Sequence, residues 1–520
     1  MALLSRRILC YTGNRIAINH HIRHMNLNRL HLVVFWIFLF CFLATSATVL
    51  FFTFGYRFSF ERGIFIYTGS ITVKANPRAV NLSLDGNQVP TDMFHSINQS
   101  IHVTGIMPGE HLLRVEADGH LPWEKRVIVQ SGISTEFWNI LLPRTAYDIT
   151  VAASGNFVKG FNSSTRKYFV LVGEKDGETT ITILERTTGA TTQAFSNRDY
   201  RFDPEDGRNL EWSKDENALL VPLRSRSDGS RAVFLIDRTT NTAKNLQDIA
   251  TVPDPENPRW HPDNDGTFFV LSHGTLVLVR PDMRNTAQRL VNVAQDVSAY
   301  DLAGRYAAFL SKTTGAVSLV EVSGVTENAD RKTITDPIPG AGRYEKPFLT
   351  MYDDKRIAVY DRDGGEGFLW NDDGKVKPSV VPLGADIAGV QFSDDGKKLL
   401  FYTGNEISVV FTRDWDVQPT REDGETLQIA RFSAPVSEVQ WAKNYEHVLF
   451  ALGGELKLAE LDNRDQRNID TVLPASGNLI RQVIPLPAED ELYILSGPTG
   501  STATNFSFIA FPEPLGFFGQ

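Results

Sequence analysis

Residues 210–223 read LEWSKDENALLVPL, and residues 232–246 continue AVFLIDRTTNTAKNL. An aromatic anchor, Trp212, enters a polar turn, an apolar strand follows, and a second turn leads into another apolar strand. Short apolar runs bounded by turn residues mark buried strands. The unit recurs outward along the chain. PRWHPDNDGTFFVLS with TLVLVRPDMRNTAQRL, AGVQFSDDGKKLLFYTG with ISVVFTRDWDVQP, and SEVQWAKNYEHVLFALG with LKLAELDNRDQRNI repeat it, and weaker copies begin near Phe161, Tyr300, Phe348 and Ile484. The anchors Phe161, Trp212, Trp260, Tyr300, Phe348, Phe392, Trp441 and Ile484 follow one another at intervals of 40 to 51 residues. A period of that size with several strands per unit is the signature of a β-propeller, because one small sheet buries its faces only by stacking on neighbours around an axis. Residues 144–512 are therefore expected to form the propeller, with seven blades if the first and last copies share one and eight if they do not. No amphipathic helix of 12 or more residues is expected in this region.

The turn motifs carry a resemblance. Trp212-Ser213-Lys214-Asp215 and the run from Phe392 through Ser393-Asp394-Asp395-Gly396 to Phe401 resemble the signature of TolB-type and WD-repeat-like propellers. That resemblance implies an architecture and names no ligand.

Upstream, period-two alternation marks a second module at 69–143: SITVKAN, VNLSLDG, SIHVTGI, EHLLRVEAD, KRVIVQSG and EFWNILL, separated by turn pairs such as Asp85-Gly86, Pro108-Gly109 and Asp118-Gly119. These strands predict a small antiparallel sandwich, with Leu112, Leu113 and Val115 divided between its faces and Trp123 covering an open end. Gly69-Ser70-Ile71-Thr72-Val73, Leu82-Ser83-Leu84-Asp85-Gly86, Pro108-Gly109-Glu110-His111 and Gly119-His120 through Trp123 follow in the order of the PEGA domain family, which this module resembles. Glu110 and His111 directly after Pro-Gly, and His120 at a position more often tyrosine, depart from that pattern. The resemblance implies a surface or periplasmic accessory module without catalytic residues.

Residues 32–54, LVVFWIFLFCFLATSATVLFFTF, carry no formal charge over 23 positions, enough for a helix to cross about 30 Å of hydrocarbon. Thr45-Ser46-Ala47 has the small residues of a cleavage site, but apolar sequence resumes at Val49, so an uncleaved signal-anchor is expected. Phe40 is too bulky to precede a lipidated Cys41. Arg6, Arg7, Arg15, Arg23 and Arg29 make 1–31 a basic tail expected to stay in the cytoplasm, with 55–68 as a linker and everything after the helix outside the cell membrane. The chain is thus expected to be all-β after a single-pass transmembrane helix.

Function is constrained mainly by what is missing. The chain has net charge −10, and the five N-terminal arginines leave −15 for the remainder, a poor match to nucleic acid. Its two cysteines, Cys10 and Cys41, both precede residue 54, so the folded part holds no disulfide or thiolate metal site. There is no G-x-S-x-G elbow for a hydrolase. Ser393-Asp394-Asp395-Gly396 misses the sialidase spacing by one residue. Asp361-Arg362-Asp363-Gly364 and Asp263-Asn264-Asp265-Gly266 are incomplete as calcium loops and read as solvated turns. His20 and His24 stand at i, i+4 in the basic tail, and His111 and His120 read as polar residues at turns and strand ends. No catalytic, metal or cofactor residue is assigned, no cofactor is expected, and the binding residues are not identified by the sequence. The expected function is that of a membrane-anchored extracytoplasmic binding or scaffold protein, its propeller recognising an envelope protein or surface polymer. A glycan-active hydrolase or lyase is the alternative, and a structural envelope component oligomerising through its helix is a third reading. The apolar tail 513–520 is expected to pack on the propeller.

Overall fold

A computed structural model describes residues 27–59, 63–89, 100–202, 210–281, 289–324, 329–374 and 377–512. Residues 1–26 of the basic tail, with His20 and His24, and the apolar tail 513–520 lie outside the described residues, and helix begins within the expected tail at Leu27. Helix α1 spans Leu27–Thr53, and its segment His31–Thr53 is long and apolar enough to cross a membrane. Its threonines turn inward on the helix: Thr48 and Thr53 hydroxyls donate to the Ala44 and Val49 carbonyls at 2.8 Å, and Thr45 donates to Cys41. No hydroxyl of these three is then left unbonded toward an apolar surround.

Residues 55–68, expected as a linker, carry a two-stranded hairpin, β1 (Tyr56–Ser59) with β2 (Ile64–Tyr67). The module that follows has β3 (Gly69–Asn76), β4 (Asn81–Leu84), β5 (Asn87–Gln88), β6 (Ile101–Ile106), β7 (Gly109–Glu116), β8 (Trp123–Val129) and β9 (Ser134–Leu141). They form two sheets, β6-β3-β9 and β5-β4-β7-β8. The sandwich is not wholly antiparallel. Its first and last long strands, β3 and β9, pair in parallel, because the chain leaves β8 in one sheet and crosses to run beside β3 in the other. Leu113 and Val115 face the core and Leu112 faces out, as the alternation of β7 requires. At Asp85-Gly86 both residues adopt positive φ, and the Asp85 carboxylate accepts the Leu112 amide at 2.9 Å. The Pro-Gly and Asp-Gly turns of this stretch are thus folding devices.

Among the described residues eight antiparallel sheets follow: sheet 1 (157–197), sheet 2 (200–245), sheet 3 (255–295), sheet 4 (297–333), sheet 5 (347–385), sheet 6 (389–431), sheet 7 (436–473) and sheet 8, formed by 478–510 with β10 (Thr150–Gly155). The predicted anchors from Phe161 to Ile484 open the repeats of their sheets, except that Trp212 sits on the short strand Glu211–Trp212, which follows Tyr200–Arg201 and pairs with the same neighbour. The sequence left open whether the first and last copies share one sheet. They do not: β10 comes from before the first repeat to complete sheet 8, and sheet 1 keeps four strands of its own.

Apolar clusters fill each gap between consecutive sheets, and Phe157, Phe169 and Leu171 of sheet 1 pack on Ile484, Tyr493 and Phe506 of sheet 8. The ring is therefore closed, a β-propeller.

The serine-containing turn explains the repeat's signature. Ser213 Oγ donates to Asp215 Oδ1 at 2.6 Å and accepts the Ala218 amide at 2.9 Å; Ser393 does the same with Asp395 and Lys398, at 2.7 and 3.0 Å. Three positions beyond the first turn residue the backbone is left-handed, at Arg166, Glu216, Gly396 and Tyr445. Only sheet 6 uses glycine there. At Gly396 a Cβ would lie 2.3 Å from the Tyr352 ring, so the site excludes a side chain on two grounds.

Candidate functional site

The first strands of the sheets converge on a central channel whose wall is stitched by side chains. Gln482 of sheet 8 accepts the Gly160 amide at 2.7 Å, Glu211 of sheet 2 accepts that of Trp260 at 2.7 Å, and Asp301 of sheet 4 accepts that of Met351 at 2.8 Å. Gln391 and Glu438 accept the Trp441 and Val483 amides, each at 3.2 Å. Each of these bonds joins a sheet to the next, satisfying inner-edge amides that ladders cannot reach. Arg259 lies between Glu211 and Asp301, and these two carboxylates hold its guanidinium well above the usual range against the opposing effect of burial.

Glu438 of sheet 7 and Lys159 of sheet 1 are close enough for their charges to interact. Burial raises the Glu438 carboxyl, opposed by the Val483 amide and Lys159, and burial lowers the Lys159 ammonium, opposed by Glu438. Burial, aided by Glu438, also pushes the Tyr402 hydroxyl up to about 12. Glycoside cleavage calls for an acid and a carboxylate facing one substrate. Here the Glu211 and Asp301 oxygens are taken up by backbone amides and Arg259, and one Glu438 oxygen accepts the Val483 amide, so these contacts of the wall carboxylates serve the ring.

The channel opens on both faces. On the side formed by loops between first and second strands lies a cavity of about 570 Å³, lined by Phe161, Trp212, Trp441, Ile484, Gln391 and Gln482 among others. Of its two indoles, Trp441 donates to the Gln391 carbonyl at 3.0 Å, whereas the buried Trp212 N–H has no hydrogen-bond partner among the described residues. On the opposite side, formed by loops between second and third strands and by the entries to first strands, lies a depression of about 860 Å³ over sheets 2–5. Arg224, Arg231, Lys312, Lys346 and Arg362 line it, five cations against three carboxylates. Some are paired, Arg231 with Asp254 and Glu256 at 2.8 and 2.7 Å and Lys346 with Asp363 at 3.0 Å. A cationic excess on an acidic body is a local field of opposite sign.

The sandwich docks on the first of these faces, at sheets 6 and 7. Lys125 is fully buried, and its ammonium donates to the carbonyls of Asp462, Arg464 and Gln466 at 3.1, 2.8 and 3.0 Å and pairs with Glu460 at 2.7 Å. Glu460 also accepts the Trp123 indole N–H at 2.9 Å, so Trp123 belongs to the sandwich core and to the joint at once. Around them the Arg126 amide donates to Asp465 at 2.7 Å, Gln418 bonds the Ser134 carbonyl at 2.9 Å, and the Arg464 guanidinium lies 3.9 Å from the Phe137 ring centre. Nearby, burial and the ammonium of Lys398, aided by Lys125 and opposed by Asp462, push the His447 imidazole down to about 3.

Other residues raised by the sequence do not converge on one site. His111 bonds Asp85 and the Met107 carbonyl, both at 2.7 Å, and His120 bonds the Asp118 carbonyl at 2.8 Å. Asp361 accepts the Glu345, Lys346 and Asp363 amides. Asp263 is exposed in its turn, and the Asn264 and Asp265 side chains lie outside the described residues. Among the described residues no three His, Cys, Asp or Glu side chains gather as metal ligands would. The sequence missed the joint, although Lys125 on the buried phase of β8, with Trp123, Val127 and Val129, was a readable signal.

No family model matches the chain, and no curated protein matches it in sequence. Among solved structures the chain is similar to one described as the Dos1 propeller, at 13% identity and TM-score 0.46, covering 69% of this chain and 94% of that one. It is also similar to Kluyveromyces lactis Hsv2, at 9% identity and TM-score 0.38, over 62% and 98% of the two chains. A third is the dihydro-heme d1 dehydrogenase NirN, at 14% identity and TM-score 0.41, over 61% and 67%. These likenesses carry nothing about what the chain binds.

Proposed function

We propose that the chain is a single-pass, membrane-anchored, extracytoplasmic binding protein whose eight-bladed propeller holds an anionic surface polymer on the face turned away from the docked sandwich. The observation that carries this reading is the cationic depression over sheets 2–5, on a body that is otherwise acidic. Its loops stand opposite the Lys125 joint, so a body docked there leaves them open. The helix anchors the assembly in the cell membrane with the arginine-rich tail in the cytoplasm, and a PEGA-like sandwich sets the height of the ring. Loops on a rigid scaffold suit recognition.

The test uses full-length protein in nanodiscs and a soluble anionic polysaccharide as probe. The wild type binds with an affinity that falls as salt rises, and Arg224→Glu with Lys312→Glu lowers it at least tenfold. Equal binding by the charge-reversed protein refutes the assignment of this face.

A further inference from the structure

The segment between helix and sandwich has a surface that water suits poorly. Helix α1 ends at Thr53, and after Phe54 the left-handed Gly55 turns the chain directly into β1. In the hairpin Tyr56 pairs with Tyr67 and Phe58 with Phe65, so four aromatic rings share one face. The last turn of the helix joins them: the Phe51 ring stacks on Phe65 at 5.3 Å and meets the edge of Tyr56 at 5.5 Å. Arg57, on the other face, places its guanidinium 4.7 Å from the Phe52 ring and reaches Gly105 of the sandwich. Tyr67 lies against Gly132, where a Cβ would sit 2.4 Å from its ring. The hairpin is thus wedged between the end of the helix and the base of the sandwich.

Even so, Phe54, Phe58, Ile64, Phe65 and Tyr67 remain 39–68% exposed. A lone two-stranded hairpin is marginal in water, and a continuous apolar patch marks a partner surface. Through Phe51, itself exposed and stacked on Phe65, the aromatic face joins the exposed apolar surface of α1, whose length matches hydrocarbon. Aromatic side chains with a cation at the end of such a helix match the boundary between acyl chains and headgroups.

We infer that the β1–β2 hairpin is a membrane-interface collar. It lies in the headgroup boundary of the leaflet from which the sandwich rises, and through Arg57–Gly105 and Tyr67–Gly132 it fixes the sandwich, and with it the propeller, at one tilt to the membrane. The inference rests on the proposed membrane anchoring by α1, and the experiment separates the two.

Full-length protein with Cys10→Ser and Cys41→Ser is given one new cysteine at a time, Ile64→Cys or Phe54→Cys in the collar or Thr187→Cys on the propeller. A protein with Cys10→Ser alone keeps Cys41 as the helix reporter. Each is labelled with an environment-sensitive fluorophore in phosphatidylcholine–phosphatidylglycerol vesicles that carry nitroxide lipids with the spin label near the headgroup or deep in the chain. The labels at 64 and 54 are expected to be quenched at least twofold more by the shallow nitroxide than by the deep one, the label at 41 more by the deep one, and the label at 187 by neither. Labels at 64 and 54 that behave like 187, with 41 still quenched, overturn the collar and leave the anchor standing. If 41 also escapes quenching, anchor and collar both fall.

Discussion

Replacing Lys125 by Met keeps the length and apolar stem of the side chain and removes its charge. The ammonium donates to three loop carbonyls at 2.8–3.1 Å and pairs with Glu460 at 2.7 Å, all within the closed joint. Removing one partner of a buried ion pair costs about 3–5 kcal/mol, because the other charge stays buried without its counterion. Glu460 keeps the Trp123 indole and the Asn468 amide as donors, at 2.9 and 2.8 Å, which places the loss toward the lower end. Each 1.4 kcal/mol is a factor of ten, so about 3 kcal/mol opens the joint roughly 100-fold more often. Hydrogen exchange on the full-length protein reads this locally, since the Arg126 amide is held by Asp465 across the joint. Its protection is expected to fall about 100-fold in Lys125→Met, while amides within sheets 2–4 change little. Protection of Arg126 within threefold of the wild type refutes the claim that this ion pair closes the joint.

Four further outcomes follow from the same geometry. His447 stays neutral in the fold down to about pH 3, whereas an unfolded histidine takes a proton near its ordinary value of 6.5. Stability should therefore be lost as pH falls from 6.5 toward 3, by up to about 1.4 kcal/mol per unit, and equal slopes for wild type and His447→Gln in denaturant titrations would contradict this. Burial, aided by Glu460, pushes the Asp470 carboxyl up to about 6, so the fold is penalised as pH rises from 3.8 to 6, and Asp470→Asn should stabilise by about 1–2 kcal/mol above pH 6 and not below 3.8. Asp301→Asn leaves the Arg259 guanidinium short of one counter-charge and turns a donor toward a donor, a loss of about 3 kcal/mol that calorimetry should show as a lower unfolding temperature. Gly396→Ala meets both a left-handed backbone and the Tyr352 ring at 2.3 Å, so it should cost about 2–3 kcal/mol, against little change for Gly404→Ala, where φ is ordinary and the added Cβ meets open space.

The eight anchors were legible because each repeat sets an apolar or aromatic side chain ahead of a turn, with serine opening that turn at Ser163, Ser213 and Ser393, and repetition survives the divergence of single copies. Sheet count was not legible, since the strand that completes sheet 8 comes from residues 150–155, ahead of the first anchor. The parallel pairing of β3 with β9 escaped because alternation reports which face a strand buries and says nothing of its direction. The hairpin escaped for another reason: its strands are four residues each and follow the apolar helix so closely that composition blurs the boundary. The joint between sandwich and ring rests on residues more than 300 positions apart, and only the lysine on the buried phase of β8 betrayed it. The channel carboxylates could be seen singly, but their engagement by amides of the neighbouring sheet depends on ring closure.

The account stands or falls on where the ring lies. In intact cells producing full-length protein with Cys10→Ser, Cys41→Ser and Thr187→Cys, a membrane-impermeant maleimide should label position 187 without lysis, as it must if the propeller stands outside the cell membrane. Labelling that appears only after the membrane is opened would place the propeller in the cytoplasm, out of reach of any surface polymer, and would contradict the proposed function.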